Sequence, residues 1–551
     1  MKLSTQVYEQ MDLTFKQYLL FLVLPSIIAV IVLVFFQDLL FPPEFTEGFV
    51  PLITQYAIPA FIVTVVVLFP WISTRFKVEN IESNLHLFVV HLEALSTSTV
   101  SNKEILRSST EEEEYGDLTE EIKKMYNMME HWDLPLAEAA RTAAAKTPSE
   151  KFADFLTRLA HSQESGENLS YFLEKERSVV IKEYETTYKQ SLDTIDLMQE
   201  ALISMMISVL FMIMFLAILP LFSGESPMML IFIGIFVFLI IEVVFFASTK
   251  TILPKDDMWH HLSRKPPVYE NMMRAVPIVL VGCVVFTTVL ILYTSIDIMF
   301  IASIGSTPLF FPGVVFYMKE RDLRRCDENY DAFMRSVSSS AATSSGGIEA
   351  ALSKIKTYEF GPLTKFIDEL HKRLWTRIDE EKAWTFFASD TLSSLIARFT
   401  RIYVKSVKLG GDTKKVSEVI SDTFVRMNSL RKERYQSASG MVGVLFGLQF
   451  GSALTLALTI YIAVMMDASL GMMVTLEEEV PSILVPVGYS IPILTLFVLI
   501  LIILHAVFSS LVLTSVSGSH YFTSFMYMPP MIWVGVLTAY GVELMTRGLM
   551  P

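Results

Sequence analysis

The feature that most constrains this chain is a series of long blocks almost free of Lys, Arg, Asp and Glu. A bilayer-spanning helix needs about 20 mostly apolar residues. Nine segments qualify: about 18–36, 51–72, 201–222, 228–248, 275–296, 298–318, 441–465, 486–512 and 527–546. The composition, 52% hydrophobic over 551 residues, agrees. The expected fold is all-α: a polytopic membrane protein with about nine transmembrane helices. Asp297 marks a very short turn between the fifth and sixth spans, and Pro529 and Pro530 weaken the start of the last. The opening residues MKLSTQVYEQMDLTFKQ lack a charged region leading straight into a short apolar core and a small-residue cleavage site, so no cleavable signal is expected. Leu19 onward is expected to span in full. Two distant cysteines, Cys283 and Cys326, offer neither a disulfide framework nor a metal spacing.

Orientation follows from the basic residues. With the N-terminus inside, the cytoplasmic pieces are 1–17, 73–200, 249–274, 319–440 and 513–526, and only Arg547 of the 44 Lys and Arg falls outside. The positive-inside rule therefore places the N-terminus in the cytoplasm and the C-terminus outside, in a cell membrane. The short loop 249–274 is the clearest witness, with Lys250, Lys255, Arg264, Lys265 and Arg274. The opposite loops, around Asp38, Glu44 and Glu47 and around Asp467 and Glu477 to Glu479, are acidic.

The domain organisation reads as 1–72 with two spans, 73–200 as a first cytoplasmic helical domain, 201–318 with four spans, 319–440 as a second cytoplasmic helical domain, and 441–551 with three spans. The two soluble segments show apolar residues at helical spacing. Ser101 with Glu104 reads as a capping box. The segments also form a repeat. HLEALSTSTVSNKEIL (91–106) parallels SVSSSAATSSGGIEAAL (336–352), TPSEKFADF (147–155) parallels TLSSLIARF (391–399), and SGEN (165–168) parallels GGDT (410–413), at a register of 244–245 residues. Glycine before an acidic or amide residue suits a helix C-cap followed by the next N-cap. Each turn precedes a long helix that runs into a span.

This unit resembles the type II secretion F domain, found in the membrane platforms of type II secretion, type IV pili and the archaellum. QESGENLSYFLEKE (163–176) is the nearer motif and KLGGDTKKVSEVI (408–420) the more divergent copy; the motif turns are Ser165, Gly166, Glu167 and Asn168, and Gly410, Gly411 and Asp412. Two copies with nine spans are similar to the family's archaeal form, above all to platforms of archaellum assembly and rotation. The resemblance implies a base for pilin-like or archaellin subunits, moved by a cytoplasmic hexameric ATPase. A platform for an archaeal pilus or a secretion-like system is the near alternative.

Other classes find less support. No Gly-Lys dipeptide occurs, so no P-loop exists. No HExxH, CxxC or His cluster is present, and neither a metal, a cofactor nor nucleic acid is expected. Glu242, His505 and Glu543 are the ionisable residues within spans. A transport role is weighed for them, but they are scattered, and helix packing or interfacial placement explains them better. SASG (437–440) and SVSGSH (515–520) suggest an intramembrane serine protease only superficially, with no Ser/His pair expected at depth.

Charge and packing nominate two features. Residues 73–200 hold 14 basic and 25 acidic residues, and 319–440 hold 22 and 17. In the basic segment Arg398, Arg401, Lys405 and Lys408 line one helix stripe, followed by Lys414 and Lys415. This stripe is the candidate ATPase-docking surface; a solvated face or attraction to anionic membrane lipids is the plainer alternative. The run Glu111 to Glu114 reads as a solvated helix start. Gly443, Gly447 and Gly451, spaced by four after Gly440, suit close helix packing, within the chain in preference to a homodimer seam.

Overall fold

The structure is a computed structural model, and it describes residues 23–27, 30, 58–223, 227–343, 347–355, 357–475 and 489–547. Most of the first expected span, residues 51–57 of the second, and the loops around Asp38, Glu44, Glu47 and Glu477 to Glu479 lie outside the described residues. Among the described residues every regular element is a helix, and the pairing of Trp259 with Ser393 is an isolated bridge. Among the described residues, seven helices are long and apolar enough to cross a membrane. They coincide with the third to ninth expected spans.

The described residues up to Ile181, with Leu409–Gly411, form one compact unit; Lys182–Lys408 and the residues from Asp412 onward form the other. In the first unit, α1 (Ile58–Ser96) leads into α2 (Asn102–Thr110), α3 (Asp117–His131), α4 (Leu136–Ala144) and α5 (Glu150–Glu164), and α6 (Leu169–Ile218) begins after the SGEN turn. The core centres on Phe88, which meets Tyr115, Phe152 and Phe155 edge-on with centroids 6.2–6.3 Å apart. Ser101 caps α2 by accepting the Glu104 N–H at 3.3 Å. The expected capping box is only half formed, because the Glu104 carboxylate turns to Arg107 instead. The acidic run is not uniformly solvated: Glu111 is exposed and Glu112 is buried.

The second unit carries the spans α7 (Pro227–Ile252), α8 (Pro267–Tyr293) and α9 (Ile298–Ser306), the last continued by α10 (Phe310–Thr343). A 3-10 turn at Thr307–Leu309, containing Pro308, separates α9 from α10, the usual consequence of a proline that cannot donate to the helix ladder. Asp297 caps α9 through the Met299 N–H at 2.8 Å. The second bundle is α11 (Gly347–Ile355), α12 (Thr364–Trp375), α13 (Glu380–Thr391) and α14 (Ser394–Lys408). Then α15 (Thr413–Thr475), α16 (Ile491–Ser517) and α17 (Met528–Arg547) complete the chain. Pro529 and Pro530 sit in the first turn of α17, where missing N–H groups leave no helical bond unmade.

The repeat holds at atomic detail. α2 and α11 are offset by 245 residues, and α4 and α13, α5 and α14, and α6 and α15 begin 244 apart. Phe333, 245 residues after Phe88, likewise centres an aromatic cluster, with Trp384 and Phe387. Ser149 caps α5 through Phe152 N–H and donates to Glu82; Ser393 does the same for Ile396 N–H and Asp327.

Candidate functional site: the junction of bundle and spans

α15 is unbroken from Thr413 to Thr475, about 95 Å at 1.5 Å per residue. One rod thus serves as the last helix of the second bundle and as a span. Where it leaves the bundle, two arginines fix it. Arg431, 2% exposed, donates through Nε to Asp256 at 2.8 Å and through Nη2 to Ser394 Oγ at 2.8 Å and the Asp257 carbonyl at 3.1 Å. Its Nη1 reaches Asp327 at 3.4 Å. Burial would raise the Asp256 carboxyl, but the Arg431 guanidinium prevails and holds it down at about 2. Arg434, one turn on, donates to the carbonyls of Val516 at 2.6 Å, Ser515 at 2.8 Å and Asp256 at 3.1 Å. It thereby places a cation on the C-terminus of α16, where the helix dipole favours one.

Glu320 of α10 supplies the third tie. Its buried Oε1 accepts from the His520 N–H at 2.7 Å, Thr523 Oγ1 at 2.9 Å and Trp259 Nε1 at 3.1 Å. Trp259, Tyr269, Phe316 and His520 pack around it. His260 donates through Nε2 to the Ser389 carbonyl at 2.9 Å and accepts the Leu262 N–H on Nδ1 at 3.1 Å. His520 likewise accepts the Phe522 N–H on Nδ1, at 3.3 Å. Burial lowers both imidazoles to about 4, and an accepting Nδ1 requires the neutral form. Together these contacts join loop 253–266, α10, α15 and the α16–α17 connection into one polar knot.

The residues nominated from sequence fall differently. On α14, Arg398, Arg401 and Lys405 are half-buried, and Lys408 is exposed and paired with Glu381 at 2.6 Å. Lys414 and Lys415 are exposed at the start of α15, their N–H groups accepted by Asp412 Oδ1 at 2.9 and 3.3 Å. Both motif turns use a left-handed glycine, Gly166 at φ 74° and Gly410 at φ 83°, which a side chain would strain. After Ser165, the Gly166 and Glu167 N–H groups return to Gln163 O at 3.2 Å and Ser162 O at 3.1 Å, and Asn168 Oδ1 then caps α6 through the Ser170 N–H at 2.8 Å. Gly411 follows Gly410 directly.

The glycine stripe meets no neighbour among the described residues: beyond the adjacent residues and the helix's own backbone, no atom lies within 4 Å of a Cβ built on Gly443, Gly447 or Gly451. The close approaches belong to other glycines: a Cβ on Gly313 would lie 2.2 Å from the Met526 nitrogen, and one on Gly535 2.7 Å from Ile502. Glu242 and His505 are not scattered either. His505 Nδ1 and Glu242 Oε1 are 2.6 Å apart, both buried, joining α7 to α16. Ser509 Oγ lies 3.5 Å from either ring nitrogen, so a Ser/His pair does sit at depth. Ser509 follows His505 by one turn, which explains the proximity without chemistry.

Comparison with known proteins places this architecture. Residues 88–217 match the family model described as type II secretion system (T2SS), protein F. The chain is 30% identical over 546 residues to flagella accessory protein J of Methanococcus voltae, covering 97% of both chains. It is 31% identical over 542 residues to the protein of the same name from Methanocaldococcus jannaschii, covering 96% of this chain and 95% of that one. The chain belongs to the flagella accessory protein J family. It is a membrane platform protein of the archaellum and type IV pilus-like class, built on the type II secretion F domain. No solved structure matches it at a significant level.

Proposed function

We propose that this platform supports assembly of archaellum filament subunits in the cell membrane and is driven by a separate cytoplasmic hexameric ATPase. In this reading the segments 73–200 and 319–440 are both cytoplasmic, and the chain itself turns over no nucleotide, consistent with the missing P-loop. The motor engages the basic end of α14 and the start of α15, through Lys408, Lys414 and Lys415, with Arg398, Arg401 and Lys405 adding to the local field.

The observation that carries the reading is mechanical. Lys414 and Lys415 stand at the N-terminal end of α15, just after Lys408 closes α14; the far part of α15 is a span and its middle is locked by Arg431 and Arg434. A load applied at Thr413 would therefore reach the bilayer and neighbouring spans without crossing a loop. The test is affinity between the full-length platform in detergent and the ATPase, at low and moderate salt. Lys408→Glu, Lys414→Glu and Lys415→Glu together should lower affinity by about tenfold or more at low salt, and less at moderate salt. Acidic residues suit a helix N-terminus, so the reversals at 414 and 415 should not unfold α15. Equal binding at both salts would move the docking surface elsewhere.

A further inference from the structure

A cavity of about 420 Å³ opens in the second unit between loop 264–268, α10, α12 and the end of α13. Its position is informative. Pro267 and Val268 line it as the first residues of the span α8, and Lys319 and Leu323 line it just beyond the apolar stretch 298–318 of α9 and α10. Two spans thus leave their apolar parts at this wall, which is where lipid headgroups lie.

The other wall is cationic. Arg264, Lys319, Lys365 and Arg373 line the cavity, against Asp322, Glu369 and Asp390. Asp390 is shared by Arg373 at 2.6 Å and Arg264 at 3.8 Å, and Glu369 is 3.1 Å from Arg373. The Arg264 guanidinium lies 3.9 Å from the Phe386 ring centroid, and that of Arg373 5.4 Å. Both planes are therefore held in place. Yet each keeps its Nη1 buried and without a hydrogen-bond partner. A buried donor left unsatisfied is costly, and a phosphate oxygen is a strong acceptor for a single arginine N–H. Val268, Leu323 and Phe366 supply an apolar side for the glycerol and first methylenes.

We propose that this cavity binds the phosphate of an anionic membrane lipid, with the headgroup between Lys319 and Lys365 and its oxygens turned toward Arg264 and Arg373. The bound lipid would wedge loop 264–268 against α12. The proposal is independent of where the motor docks.

The test uses the full chain, delipidated in a neutral detergent, with phosphatidylglycerol, phosphatidylcholine and inorganic phosphate as separate probes. Binding is read by native mass spectrometry and by the shift in thermal unfolding. Phosphatidylglycerol should bind and stabilise, and phosphatidylcholine and inorganic phosphate at equal concentration should not. Lys319→Gln with Lys365→Gln should weaken phosphatidylglycerol binding about 30-fold, at roughly one decade and a half for two lysines near a lipid surface. The lipid-free unfolding temperature should stay unchanged, since both side chains are at least partly exposed. Equal lipid affinity in the double variant overturns the site. An equal response to phosphatidylcholine overturns its selectivity for anionic lipid, and an equal response to inorganic phosphate reassigns it to soluble anions.

Discussion

Replacing Arg431 with Met probes the polar knot at its centre. The side chain volumes are similar, so the change removes charge and donors more than packing. Five hydrogen bonds vanish: two to Asp256 and one each to Asp327, Ser394 Oγ and the Asp257 carbonyl. A buried carboxylate, Asp327, and a half-buried one, Asp256, then lose their common cation. Breaking a buried pair from one side typically costs about 3–5 kcal/mol. In a unit this large, each kcal/mol moves the unfolding midpoint by about 2 °C, so the midpoint should fall by about 6–10 °C. The assay is thermal unfolding of the detergent-solubilised full chain, followed by tryptophan fluorescence; Trp259 lies in the affected region and reports on it locally. Adding Asp256→Leu to Arg431→Met should recover part of the loss, because it removes one stranded charge. A midpoint within 2 °C of wild type, or a double variant worse than the single by the full cost of a second lesion, would refute the argument that these groups act as one buried cluster.

The histidines of the same region give a pH dependence. His260 and His520 have folded values near 4 against an ordinary 6.5, so the unfolded chain takes up protons first as pH falls. Stability should therefore be complete above pH 6.5 and decline toward pH 4, by up to about 3 kcal/mol per histidine; His260→Gln should flatten the midpoint-versus-pH curve in that window, and an unchanged slope would show that the ring is not held neutral. The glycines give a contrast. Gly313→Ala should lower the midpoint clearly, since its Cβ would meet backbone at 2.2 Å, whereas Gly447→Ala should leave it unchanged or raise it; equal effects would contradict the packing described for either helix.

Much of this architecture is legible in the sequence because it is local or periodic. Hydropathy locates the spans, since twenty apolar residues have no inexpensive place outside a bilayer. The 244–245 register aligns Ser149 with Ser393, which cap equivalent helices, and Gly166 and Gly410 mark turns that need positive φ. What the sequence hides is non-local. Arg431 and Asp256 are 175 residues apart, and His505 and Glu242 are 263 apart; no periodicity brings them together. Nothing in the run RKER at 431–434 tells that two of its members are buried. The stripe on α14 is misleading for a similar reason: helical spacing puts Arg398, Arg401 and Lys405 on one side but does not reveal that neighbouring helices half-cover it. The tandem glycines invite a packing role, while the tight contacts fall on Gly313 and Gly535, whose neighbours arrive from distant segments.

The account depends most on both helical bundles facing the cytoplasm, where a motor could reach them. Single cysteines at Tyr358, in the second bundle, and at Asp297, in the turn between α8 and α9, test this directly; both positions are exposed, and the native Cys283 and Cys326 are buried. An impermeant thiol reagent added to intact cells should label position 297 and leave position 358 unlabelled until the membrane is opened. Labelling of 358 from outside, with 297 protected, would contradict the orientation and with it the proposed engagement of a cytoplasmic ATPase.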